Sequence, residues 1–313
     1  MAFAQNSRSG LSYIVESTFG TTPAGNFTAL PYNTHSLNLT KDRVQGNEIQ
    51  PDRMLRVDRH GNRKVGGDIV VDLRDGDFDL FLEGAMFGVW DATPVAAPDV
   101  LKTGVTPKYF SIEDAANDIS QFRVFTGCSV SSLAISIAPN QMVTATLSMV
   151  GKDMTISGTG KTVDTASTAQ PFDSYSGDLS IGNVASASTV AIVTSINFTI
   201  DNALAATFVV GSDSAPSLEY GMATIEGTFT AYFEDASLIT RFIDEVESEL
   251  IVSVDDPTGA NEYSFQFPRI KINGADVPVD GGTGSRVITL PFVALYDATE
   301  GSNLVISRPD TSA

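Results

Sequence analysis

Polar and apolar residues alternate with a period of two along most of this chain, which restricts it to sheets with one dry face and one wet face. In the first half the pattern runs through residues 36–40, 68–73, 132–137 and 142–147; in the second, through 195–200, 224–230, 263–267 and 286–290. These runs are rich in Ser, Thr, Asn and β-branched residues, which suit a pleated surface. Two segments carry helical spacing instead. Asp77 can cap a helix that places Phe78, Phe81, Leu82 and Ala85 on one side, with Gly88 at its end. Asp235 can cap another, with Leu238, Ile239, Phe242, Ile243 and Val246 as its apolar stripe. Each helix is expected to close the open face of a sheet.

The order of elements occurs twice. Each half reads strand, long connection, strand, helix and then further strands. About thirty residues separate Leu39 from Ile69, and a similar interval separates Phe198 from the strand around Ile225 and Phe229. The expected fold is mainly β: two tandem sandwich or barrel units, each with one flanking helix, arising from an internal duplication. The chain of 313 residues is long enough for two domains of about 150 residues each. Small polar residues dominate 151–170, where no core can be built. The predicted division is therefore 1–155, a linker at 156–170, and 171–313.

Charge excludes some functions. With 19 Lys and Arg against 38 Asp and Glu, the formal net charge is −19, the wrong sign for gripping DNA or an anionic membrane. Residues 1–151 hold 12 basic and 16 acidic groups, and residues 152–313 hold 7 and 22, so the second half carries most of the negative field. The single cysteine, Cys128, forms neither an internal disulfide nor a multi-cysteine metal site. The first ten residues lack a basic patch followed by an apolar core, and nowhere do eighteen apolar residues run together, so a soluble chain without a classical export signal is expected.

The motifs that invite chemistry fail their context tests. Gly158-Thr159-Gly160-Lys161-Thr162 looks like the end of a phosphate loop, but Thr155 stands where its first glycine belongs and no helical pattern follows. Asp75-Gly76-Asp77-Phe78-Asp79 looks like part of a calcium loop, yet a glycine at the sixth position puts Val71 at the first ligand. His35 and His60 are the only imidazoles, and neither lies near a Ser or Cys in a nucleophile setting. With 38 acids, some pair will imitate a glycosidase dyad, and a solvated acidic face is the plainer account. No catalysis, metal or cofactor is expected.

One feature resists a bland account. Between Lys41 and Lys64 lie seven of the 19 basic residues against four acids, in a long excursion between strands. We read this stretch as an interaction arm that docks on an acidic surface of another copy. A second feature, the set of polar strand faces, reads on its own as an ordinary wet sheet face. Asn38, Thr40, Asp68, Asp72, Ser132, Ser136, Thr144, Thr146 and Ser148 point one way in one register, and Ser195, Asn197, Thr199, Asp201, Thr224, Glu226, Thr228 and Thr230 repeat the arrangement.

The run from Phe125-Thr126-Gly127-Cys128-Ser129 through Met149-Val150-Gly151-Lys152-Asp153 resembles the major tail tube proteins of long-tailed bacteriophages with non-contractile tails. The opening Gly10-Leu11-Ser12-Tyr13-Ile14-Val15-Glu16, continuing to Thr22-Pro23, is similar to the start of many such proteins, as is the pair of strands around a long charged loop followed by the segment 78–88. The resemblance implies a structural virion protein, assembled in the host cytoplasm, whose sheets join those of neighbours into stacked rings that conduct DNA without binding it specifically. Most family members carry one unit and form hexameric rings, so a chain with two implies a trimeric, pseudo-hexameric ring. It further implies a tape measure protein in the lumen before DNA, and contacts with tail tip or baseplate and terminator proteins.

On this reading the loop 41–66 is the inter-ring loop, with Arg43, Arg53, Arg56 and Arg59 as its contacts, and 201–221 is its counterpart, apolar and nearly uncharged over 203–210. Asp68, Asp72, Asp201 and Glu226 are the expected lumen-facing acids. DNA carries a charge about every 1.7 Å of axis, and fields decay over roughly 8 Å at physiological salt, so a close-fitting wall must not be basic. The alternatives are a tube protein of a contractile tail or secretion system, and a carbohydrate-binding or hydrolytic β-sandwich.

Overall fold

The computed structural model describes residues 3–92, 98–175, 178–189, 193–258, 261–279 and 281–309. The mainly β fold expected from the alternation is the fold observed. The first half contains β1 (Ser9–Glu16), β2 (Thr28–Ala29), β3 (Thr34–His35), β4 (Asn38–Gln45), β5 (Asp58–Asp72), α1 (Asp79–Met86), β6 (Asp99–Lys102), β7 (Tyr109–Ala116), β8 (Gln121–Ile137), β9 (Thr144–Gly151) and β10 (Asp153–Ser157). The second contains β11 (Asp178–Asn183), β12 (Ser186–Thr189), β13 (Val193–Asp201), β14 (Ala205–Ala206), β15 (Leu218–Glu219), β16 (Thr224–Tyr232), α2 (Ser237–Ile243), β17 (Ser248–Asp255), β18 (Glu262–Ile272), β19 (Val287–Ala294) and β20 (Val305–Arg308).

The ladders between named strands are antiparallel, and those of the second half follow the order of the first. β1 pairs with β7 as β11 does with β17, and β4 with β5 as β13 does with β16. β5 pairs with β9 as β16 does with β19. β8 takes β7, β9 and β10, and β18 takes β17, β19 and β20. Even the irregularities correspond: the β7–β8 ladder slips between Phe110 and Ile112, and the β17–β18 ladder between Ser248 and Leu250. One ladder, β8 with β13, fuses the two halves into a continuous sheet. A second link adds β6 of the first half to β20 of the second.

Sheets of this length must fold over to bury their dry faces. Phe198 of β13 meets Phe265 and Phe267 of β18 at ring-centroid distances of 5.3 and 5.0 Å, although no ladder joins those strands. In the first half, Phe81 of α1 stacks on Phe110 of β7 at 4.6 Å, with Tyr13 edge-on to both. Phe81, Leu82, Ala85 and Met86 are buried, so α1 closes its sheet as expected.

Four details differ from the sequence reading. The excursion at 41–66 is not a loop: β4 and β5 continue as a projecting two-stranded ribbon, and only 46–57 lie outside its ladder. Phe78, not Asp77, holds the N-cap of α1, and Phe87, not Gly88, takes the left-handed conformation at its end (φ 51°). Gly88 is required for space, because a Cβ there lies 2.2 Å from the Lys102 carbonyl. α2 covers a rim rather than a face: Leu238, Ile239 and Phe242 are half-buried, whereas Ile243 and Val246 are exposed. At seven residues it is too short to carry the five-residue stripe across a sheet. Finally, the polar stretch after Gly151 begins with β10, and its later part is tied down by Phe27, whose N–H donates to Thr162 and whose carbonyl accepts from Asp164, both at 2.8 Å.

Candidate functional site

The wet face of the fused sheet is set by strand register. Because side chains opposite one another share a face, the ladders define rows that cross both halves. Thr224, Asp201, Ser132, Ser148 and Asp68 form one row. Glu226, Thr199, Ala134, Thr146 and Val70 form the next, and Thr228, Asn197, Ser136, Thr144 and Asp72 a third. Asp68, Asp72, Asp201 and Glu226 therefore lie on one face of one sheet. Asp68, Asp201 and Glu226 are exposed and Asp72 is half-buried.

Local bonds hold three of these carboxylates in place. Asp68 accepts from the Ser148 hydroxyl at 2.6 Å, Asp72 from the Asn33 amide at 2.7 Å, and Asp201 from the Ala203 N–H at 2.8 Å. Two lysines share the face. Lys64 lies opposite Thr40 at the root of the ribbon, and Lys271, in the Glu226 row through Val293, is paired with Glu245 at 2.6 Å. Threonine and serine hydroxyls otherwise dominate, a face with few groups able to hold a phosphate.

The ribbon carries the four arginines. Arg43 pairs with Asp58 across its strands at 2.7 Å, and Arg56 pairs with Asp52. Arg53, held at φ 61°, and Arg59 are exposed. The sequence reading weighed these charges and missed what lies among them: Val44, Ile49, Met54, Leu55 and Val57 are all exposed, Ile49 at 98%. Met54-Leu55 inside a charged run is the signal for them in the sequence. An exposed apolar tip of this kind is unusual unless something covers it.

The counterpart loop lies against the first half. Its Asp213 accepts the Arg63 main-chain N–H at 2.8 Å and pairs with the Arg63 side chain at 3.1 Å. Tyr220 sets its ring edge-on to Phe87 at 5.1 Å and donates its hydroxyl to the Val105 carbonyl at 3.2 Å. At the fused seam, Asn202 donates from its main chain to Ser131 and from its amide to the carbonyls of Ala85 and Val130.

The residues weighed for chemistry have structural surroundings. His35 Nε2 is 3.6 Å from Asp114, and His60 is exposed on the ribbon opposite Arg43. Burial opposes ionisation of Asp114, but the nearby His35 and the Arg123 guanidinium that donates to it outweigh burial and hold the carboxyl below its usual range. Cys128 is fully buried, and burial with the nearby Glu16 charge pushes its thiol far up. Gly160 makes room for a ring, since a Cβ there lies 2.5 Å from Phe122. Asp79 receives Tyr263 and Arg308, an ion-pair knot rather than an open ligand shell. Among the described residues no group of three or more His, Cys, Asp or Glu is placed to hold a metal.

The family model described as phage tail tube protein matches residues 6–294. No curated protein matches the chain.

Proposed function

The chain belongs to the phage tail tube protein family, and from that premise we propose that it carries two tail tube units and polymerises into the tube of a non-contractile tail. The observation that supports this reading is the fused sheet, whose wet face continues through β8 and β13 with four selected carboxylates on one side. One unit comprises residues 1–155 and the other 171–313, with 156–170 between them. Three copies then supply six units per ring.

In this arrangement Asp68, Asp72, Asp201 and Glu226 face the lumen, where they repel the phosphates of passing DNA and prevent adhesion. Arg43, Arg53, Arg56 and Arg59 meet the neighbouring ring, together with the apolar tip of their ribbon. The tape measure protein occupies the lumen before DNA, while tip and terminator proteins bound the stack. The role is structural, within the virion, without catalysis.

Electron microscopy of the purified protein with rotational averaging tests the reading. Stacked rings with six similar lobes and three-fold symmetry are expected. A protein that remains monomeric at high concentration, with no rings or tubes, overturns it.

A further inference from the structure

At each end of the fused sheet the ladder correspondence leaves one strand edge without its partner among the described residues, and those two edges fit each other. Met149 lies opposite Gly67, and Phe292 opposite Gly227. Counting three residues back from Met149 and Phe292 makes Thr146 and Thr289 equivalent. Ala134 faces Thr146 on one side and Thr199 on the other. Asp276 faces Thr289 through paired main-chain bonds of 3.0 and 2.8 Å, as Ala134 faces Thr146, but has no ladder on its other side among the described residues. Likewise Thr199 lies opposite Glu226, next to Gly227, and Asn38 lies opposite Gly66, next to Gly67. Thr199 has Ala134 beyond it, and Asn38 has no such neighbour among the described residues.

We infer that the open edge of residues 35–40 pairs antiparallel with the open edge of residues 274–279 in a second copy of the chain, with Asn38 opposite Asp276, Leu39 opposite Ala275 and Leu37 opposite Val277. The inference rests on the tube reading and fixes the register of its inter-copy seam.

Hydrogen-bond parity supports it. In an antiparallel ladder, successive residues turn their main-chain groups to opposite sides. Asp276 directs both of its groups at Thr289, so Ala275, Val277 and Val279 direct theirs outward. Pro278, which has no N–H, has the parity of Asp276, and its missing donor falls on the β19 side where the open edge does not need it. On the other edge Ser36 donates inward to Asp68 at 2.8 Å, leaving Leu37 and Leu39 outward.

Side chains cover part of each open edge in the free chain. The Asn38 amide oxygen accepts the Leu39 N–H at 2.9 Å, and Arg286 donates to the Val277 carbonyl at 3.1 Å. Such local plugs are a recognised way to keep an open edge from pairing indiscriminately. The Val277 carbonyl retains a second lone pair for Leu37. Packing agrees as well: Val279, 77% exposed, falls opposite His35 on the dry face, while Asn38 and Asp276 are both exposed on the wet face.

Cysteine cross-linking reads the register directly. Non-hydrogen-bonded pairs in antiparallel sheets bring Cα atoms to about 4.5 Å, within disulfide reach, and Asn38 with Asp276 is such a pair. The full chain carrying Asn38→Cys and Asp276→Cys is oxidised mildly after assembly and run without reductant. Ala134→Cys with Thr199→Cys calibrates the same pair inside one chain, and Asn38→Cys with Ala275→Cys is the variant one residue out of register. The expected result is loss of the monomer band to closed multimers for the first variant, and retention of monomer for the third. Ser36→Cys with Pro278→Cys repeats the test two residues away should the first pair disturb folding. Rings that form under the microscope but do not cross-link at either in-register pair, while the internal control oxidises, overturn the register and leave the tube reading intact. A wild-type chain that forms no rings overturns both.

Discussion

Arg308, the last residue of β20, donates its Nε–H to Asp99 at 3.1 Å across 209 positions of sequence, and so fastens the second half of the chain to β6 of the first. The same guanidinium pairs with Asp79 and lies 4.4 Å from the centroid of the Trp90 ring. The Asp99 side chain is fully buried and that of Arg308 is 12% exposed, so solvent screens the pair little. Removing one partner of a buried pair leaves the other charge uncompensated, at a cost of about 3–5 kcal/mol. Arg308→Met should lose that much stability in urea titrations, and adding Asp99→Asn to it should recover part of the loss. A double variant no more stable than the single one would show that the charge of Asp99 is not the source of the cost.

Gly67 and Gly227 occupy corresponding places on β5 and β16, yet each is needed for a different reason. Gly67 has φ +141°, and a Cβ there lies 2.5 Å from the Ser36 carbonyl oxygen. Gly227 has no such dihedral, but its Cβ meets the Phe292 ring at 2.5 Å and the Asn197 carbonyl at 2.7 Å. Main chain cannot retreat cheaply, so either alanine should destabilise by about 2–4 kcal/mol. Gly76→Ala is the contrast, with φ +75° and nothing within 4 Å, and should cost only about 1 kcal/mol. Thermal melts of the three variants check the order.

Burial raises the pKa of Asp75, Asp77, Glu113 and Glu262 from ordinary values of 3.8 and 4.5. For Asp77 the desolvation outweighs the opposing Ser167 hydrogen bond and Arg74 charge. A carboxyl raised in the folded chain takes its proton there before the unfolded chain does, so stability climbs as pH falls from neutrality and the gain is complete below the unfolded value. Asp114 has the opposite sign: its contribution is present above 3.8 and is lost as pH falls through its depressed folded value. Stability should therefore rise in mild acid and fall in strong acid. Asp77→Asn should melt higher than wild type at pH 7 and rise less between pH 7 and pH 5. An unchanged rise would remove Asp77 from the account.

Where one face of a strand is buried, the sequence states both its presence and its orientation, because a one-residue slip exposes the whole dry set. That is why the sequence pattern alone places Asp68, Asp201 and Glu226 on one face. Interactions between elements were less legible. The ribbon at 41–58 is exposed on both sides, so no alternation of dry and wet faces marks it as a strand, and its pairing rests on main-chain bonds that any sequence makes. Asp77 read as a cap because its type favours caps, whereas the chain places Phe78 there to bury its ring. The β6–β20 link joins short strands far apart in sequence, and nothing local to either announces the other.

The ribbon tip joins exposed arginines to exposed apolar side chains, a combination that favours a partner surface over bare solvent. Reversing Arg53 and Arg56 to Glu removes the complement to an acidic neighbour, while Ile49→Ser with Leu55→Ser removes the apolar contact. All four positions are exposed, so folding should change by no more than about 0.5 kcal/mol. Each double variant is expected to form rings that do not stack, measured as tube length by electron microscopy. Tubes of normal length from both would show that the tip does not carry stacking.

The proposed lumen face is testable separately from ring stacking. Asp68 and Glu226 lie on the same face of the fused sheet, one in each half, and both are exposed. Replacing both with Lys changes the charge of that face by four per chain without altering the buried side. Duplex DNA presents a charge about every 1.7 Å of axis, and binding through neutralised phosphates weakens steeply as salt rises. If these side chains line the conduit, variant tubes should retain short duplex DNA at low salt and release it as salt is raised, while wild-type tubes retain none. Equal retention by lysine and wild-type tubes would mean that this face does not meet the passing strand, and would move the lumen to another surface.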